Sequence, residues 1–189
     1  MRGSIGTDRF KRNRCRLAVM EVSAHRAMVG EFDKLSAGLA EGPENWMPGM
    51  FESPVGEIAE LVADTPLGPL TRYGRFEVGV AHVSPAEVVV PITWHSLEAE
   101  PLFPVMKGRL HLYRLSDGTN RLEFEGRYEP PGGAFGRAAD SAGLYPVAEA
   151  TVQNFVERCA RVLSRNALGR SASEQEAEGR LVREEEPWI

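Results

Sequence analysis

The four histidines and two cysteines are the side chains best placed to do chemistry, and none stands in a spacing that names a reaction. The phase of each histidine against its apolar neighbours sorts three of them. His82 is in phase with Phe76, Val78 and Val80, so alternation predicts that it points inward. His95 is opposite in phase to Val90, Ile92 and Trp94, and His111 to Leu110 and Leu112, so both belong on an outer, wetter face. An inward histidine is a candidate general acid or base, or a hydrogen-bond anchor for a ligand. The bland alternative is a histidine near a strand end, satisfied by backbone or water. The sequence has no HExxH, CxxC, P-loop or GxSxG motif, so no catalytic constellation is evident and no metal or cofactor is implied. Gly132-Gly133 lacks the GxGxxG spacing and the Walker lysine, and reads as a strand-to-helix turn. Cys15 and Cys159 are too few for a disulfide scaffold and too far apart for a local metal pair. Their apolar phase predicts buried free thiols, with a single disulfide as the alternative.

The elements that must position these residues are clearest from Arg109 to Leu163. Arg109–Tyr113 and Arg121–Tyr128 alternate as half-buried antiparallel strands around a turn at Ser116–Asn120. In the second, Leu122, Phe124 and Tyr128 share one face. After Pro130-Pro131-Gly132-Gly133 the apolar period becomes helical. Ala148, Val152, Phe155, Val156, Cys159, Val162 and Leu163 then fall on one stripe of a helix over 146–165, with a shorter helix expected over 134–143. Thr151 and Asn154 read as capping or surface residues that are near enough to offer polar contacts.

Upstream, Cys15–Val22 reads as a first strand, Met28–Leu39 as a helix ended by Gly42-Pro43, and Val55–Val62 as a second short helix. Phe76–Val80 and Glu87–His95 read as strands. Pro91 cannot donate to a ladder, so it argues for an edge position or a bulge. Trp46, Met47, Met50 and Phe51 read as a loop at a cavity mouth, or as ordinary packing against the sheet edge. Phe76, Trp94, Leu112, Phe124 and Tyr128 on the strands, with Val152 and Phe155 on the helix and His82 beside them, form the expected lining of an apolar pocket; the alternative is that they fill a solid core.

Length and charge bound the rest. The 189 residues suffice for one domain, read as a flexible segment 1–12, a folded unit 13–165 and an acidic, disordered tail 166–189. A net charge of −5 gives no global case for nucleic acid, and the basic cluster from Arg9 to Arg16 reads as a solvated strand entrance or a patch for an anionic partner. No apolar run approaches the roughly 18–20 residues of a membrane span. The basic N-terminus lacks the apolar core of a signal peptide, so a cytoplasmic location is expected.

Pro91-Ile92-Thr93-Trp94, Pro101–Met106, Gly126–Gly133, Asp140 and Val147–Val152 together resemble bacterial members of the START-like superfamily. Its members include polyketide cyclases, lipid-transfer domains and Bet v 1-like proteins. Tyr145-Pro146 departs from that pattern, where unbroken helix would be expected. The resemblance implies an α+β helix-grip fold: a curved antiparallel sheet wrapped around a long C-terminal helix, with two short helices after the first strand. It also implies a cavity that binds a hydrophobic or amphipathic small molecule, lipid-like or polyketide-like. The alternatives are a cyclase or dehydratase that moves a proton with His82 or Tyr128, and a protein-interaction module without a ligand.

Overall fold

The computed structural model describes residues 19–47, 49–54, 56–65, 68–97, 105–128 and 145–184. β1 (Met20–Met28) leads into α1 (Phe32–Glu41) and a 3-10 turn at Pro43–Asn45. Then come β2 (Phe51–Ser53), β3 (Gly56–Thr65), β4 (Gly68–Val78), β5 (His82–Val83), β6 (Glu87–Ser96), β7 (Met106–Arg114) and β8 (Asn120–Tyr128). α2 (Tyr145–Glu184) closes the chain. The strands form one antiparallel sheet in the order β1-β8-β7-β6-β4-β3-β2, with β5 paired to β6. α2 packs against β1 and β3, toward the two ends of that order, so the sheet wraps the helix. This is the helix-grip arrangement.

The register explains the core. Met20, Tyr128, Met106, Trp94 and Phe76 stand directly opposite one another across β1, β8, β7, β6 and β4, forming one row on the concave face. The next row holds Val22, Gly126, Gly108 and Ile92. Its two glycines leave a bare patch of backbone, and the Phe124 ring lies over both. From above, α2 lowers Val152, Phe155, Val156, Cys159 and Leu163 onto this face, each of them buried. Pro146 stands at the second residue of α2, in the first turn, where a missing N–H costs nothing. The helix start expected at Pro146 is kept to within one residue.

Several expectations are corrected. The segment read as a helix over 55–62 is not helical in its described residues, 56–62. From Gly56 it is strand β3, paired with β4 over nine positions, and Ile58, Ala59, Leu61 and Ala63 are all buried. Burial of neighbours on both faces, at a sheet end that the helix also covers, produced the helix-like spacing. Between β1 and β2, one helix and one 3-10 turn therefore stand where two short helices were expected. β1 begins later than the expected strand and takes in Met28, which had been assigned to the helix. α2 continues to Glu184, so residues 166–184, expected as a disordered tail, are helical. Residues 1–12, the short helix over 134–143 and the Pro130–Gly133 break lie outside the described residues.

The glycine pair gives a direct test. A Cβ at Gly108 would meet the Phe124 ring and come within 2.5 Å of the Glu125 carbonyl oxygen, which is backbone and cannot swing away. Gly108→Ala is expected to cost about 1–3 kcal/mol, read as a fall in melting temperature. Gly118→Ala is the control for a glycine with open space around it, although its φ of 82° brings its own strain.

Candidate functional site

Four rings converge between the sheet and α2. Trp94 stacks on Phe124 at 5.1 Å between centroids, and Phe155 stacks on Phe76 at 6.0 Å. Trp94 meets Phe76 at 5.6 Å and Phe155 at 5.3 Å, and Phe124 meets Phe155 edge-on at 5.8 Å. Each such pair contributes about 0.5–1.5 kcal/mol beyond the area it buries. Leu112, Tyr128 and Val152 are also buried, so seven of the eight residues read as pocket lining lie on the concave face or the helix stripe above it.

His82 is the exception. It is exposed on the two-residue strand β5, and Val80 beside it is 82% exposed. The reason lies across the sheet in Pro91. Gly79 N–H donates to the Pro91 carbonyl at 2.8 Å, but Pro91 has no N–H to return. β4 stops at Val78, and the inward phase of Phe76 and Val78 does not pass to Val80 or His82. Pro91 therefore sits in β6 between the stretch paired with β4 and the stretch paired with β5, an edge-like position inside a central strand.

The other histidines lie on the convex side. His95 is 3.7 Å from the Glu77 carboxylate. His111 takes the outer phase, as expected, but is buried rather than wet. Its Nδ1 lies 2.8 Å from Glu87 Oε1 and 3.1 Å from the Tyr113 hydroxyl, and its ring stacks on Tyr113 at 5.5 Å. Burial, and then the charges of Glu87, Glu123 and Glu125, hold the Tyr113 phenol above its ordinary range. Thr151 is likewise buried, its hydroxyl donating to the Val147 carbonyl one turn back at 2.7 Å. In the loop after α1, Trp46 and Met47 are buried, while Phe51, the first residue of β2, is half exposed and meets the Tyr73 ring edge-on at 6.4 Å.

Two of the concavities among the described residues bear on these side chains. The larger, about 730 Å³, opens on the polar side, where Lys107, Arg109 and Arg127 are balanced by Glu21, Glu125 and Glu149. The smaller, about 10 Å³, lies between β3 and α2. It touches Phe76 and Phe155 of the ring cluster, and its polar lining is Glu60, Asn154 and Arg158. Arg158 donates to the Glu60 carboxylate at 3.1 Å and, more weakly, to the Glu60 carbonyl at 3.4 Å. Sequence reading missed this pair. Both are charged residues in polar phase, and nothing local marks them as neighbours 98 residues apart. Among the described residues no group of three or more His, Cys, Asp or Glu has the geometry of a metal site, and no helix is long and apolar enough to cross a membrane.

No protein-family model and no curated protein matches the sequence. Solved structures do. The Zhui aromatase/cyclase from Streptomyces sp. R1128 is similar over 86% of this chain and 99% of its own, at 18% identity and a TM-score of 0.40. Ara h 8.0201 is similar over 80% of this chain and 99% of its own, at 10% identity and a TM-score of 0.44. Protein Ms6760 from Mycobacterium smegmatis is similar over 76% and 87%, at 13% identity and a TM-score of 0.44. The fold itself is read from this chain's own strand order and helix packing.

Cys159 is a free thiol at the centre of the helix stripe. Burial drives its pKa far above the ordinary thiol range, and the neighbouring Arg158 charge offsets this only in part. In a Cys15→Ser variant, Cys159 should resist a thiol reagent at neutral pH and react fully in denaturant. The unfolded thiol ionises near its ordinary value, about 8.5, and the folded one does not. Stability from this group is therefore complete below that pH and declines as pH rises above it. Rapid labelling of the native variant would show that the helix stripe is not closed.

Proposed function

We propose that this chain binds an apolar or amphipathic small molecule between the concave face of the sheet and α2. The observation that carries this reading is the ring cluster over a floor without side chains. The Phe124 ring, with the Met106 thioether beside it over Gly126, fills the space above Gly108 and Gly126. Turning that ring, together with the flexible Met106 side chain, would open a slot against Trp94 with the backbone in place. Removing apolar surface from water would drive binding, at about 25 cal/mol per Å². The walls are the residues read from the sequence as pocket lining: Phe76, Trp94, Leu112, Phe124, Tyr128, Val152 and Phe155.

The competing reading is a solid core in a protein whose partners meet its surface, and the small volume of the void beside the rings favours it. A cyclase-type reading loses His82, which is exposed, and is left with Tyr128 as its interior titratable group among the residues proposed for it.

Titration with the uncharged fluorophore N-phenyl-1-naphthylamine separates these readings. Saturable one-to-one uptake with a blue-shifted emission is expected. Phe124→Leu should cost about 1–2 kcal/mol in stability and strengthen uptake, because it thins the ring that occupies the slot. If both proteins are folded and neither takes up the probe, the interior is a solid core and the binding reading fails.

A further inference from the structure

We propose that Arg158 anchors the carboxylate of an apolar acid whose hydrocarbon part lies against Phe76 and Phe155. This inference rests on the binding reading above and names the class of ligand. The void between β3 and α2 reaches the ring cluster, and the charged side chains that line it are Arg158 and Glu60. A guanidinium presents a planar fork suited to two parallel bonds with one carboxylate. Glu60 uses that fork poorly. Its carboxylate accepts from Nη2 at 3.1 Å, while Nη1 makes only the 3.4 Å contact to the Glu60 main-chain carbonyl. The Glu60 side chain is 37% exposed, so it can turn to water when a better-placed carboxylate arrives, and an ion pair this open costs little to break.

The surroundings fit the exchange. The incoming carboxylate takes the place that the Glu60 carboxylate gives up, so the head group needs no cavity beyond the small void already there. Asn154 lines the same void four residues earlier on α2, one turn away. Met47 forms a flexible wall, and Phe76 and Phe155 continue inward to Trp94 and Phe124. A neutral alcohol of the same length can accept one bond from Arg158 but has neither the charge nor the second oxygen of a carboxylate, so the pair acts as a selector for charge.

The test is calorimetric titration of the full chain with decanoate and with decan-1-ol, at a pH where the acid is ionised. The wild type is expected to bind decanoate about tenfold more tightly than decanol, the size of one charge-assisted contact. Arg158→Met keeps an apolar stem and should remove that preference while leaving decanol binding intact. Arg158→Lys should retain part of it, and secures the comparison if the methionine variant does not fold. Glu60→Gln should tighten decanoate by removing the competing carboxylate. Equal affinity of the wild type for both ligands, or a loss in Arg158→Met shared by both, overturns the anchor and leaves the apolar site standing. Binding of neither ligand to any folded variant overturns the apolar site and the anchor with it.

Discussion

The close approach of Phe124 to two backbone strands is the constraint on which the interior depends. Gly108 and Gly126 face each other across β7 and β8, and the ring lies flat where two side chains would otherwise project. Because the ring lies low, Trp94 can stack on it. Phe155 can then descend from α2 to meet Phe76, Trp94 and Phe124 at once. Raise the floor by one methyl group and every ring above it must shift. Close-packed interiors do not absorb such a change locally.

What the sequence made legible follows this logic. Period-two alternation in β7 and β8, and the helical stripe of α2, are local signals written by burial on one face, and the structure keeps both. The burial of Phe76, Trp94, Leu112, Phe124, Tyr128, Val152 and Phe155 was readable for the same reason. His82 was misread because the phase of a strand holds only while its ladder holds, and Pro91, nine positions further along, ends that ladder. β3 was misread because both of its faces find neighbours at an end of the strand order, under the helix, so its burial has no simple period. The Glu60–Arg158 pair was illegible, since its two residues meet only through the packing of α2 against β3.

The histidines illustrate the same division between register and surroundings. His111 and His95 take the outer phase that alternation assigns them. Yet His111 is buried, because Tyr113 stacks on it and Glu87 reaches it from the neighbouring strand. Phase tells which face a side chain leaves from, and the lengths of its neighbours tell how wet that face is.

The contact between Arg158 and the Glu60 carbonyl has a second consequence, for association between chains. β2 pairs with β3 only at Gly56–Ile58, which leaves the outer edge of β3 from Glu60 onward without a described strand beside it. A bare edge of that kind offers its main-chain groups as a template for another strand, the usual beginning of aggregation. By placing a bulky cation on the first carbonyl beyond β2, α2 obstructs such an addition at its starting point. The helix that closes the interior thus also guards the margin of the sheet.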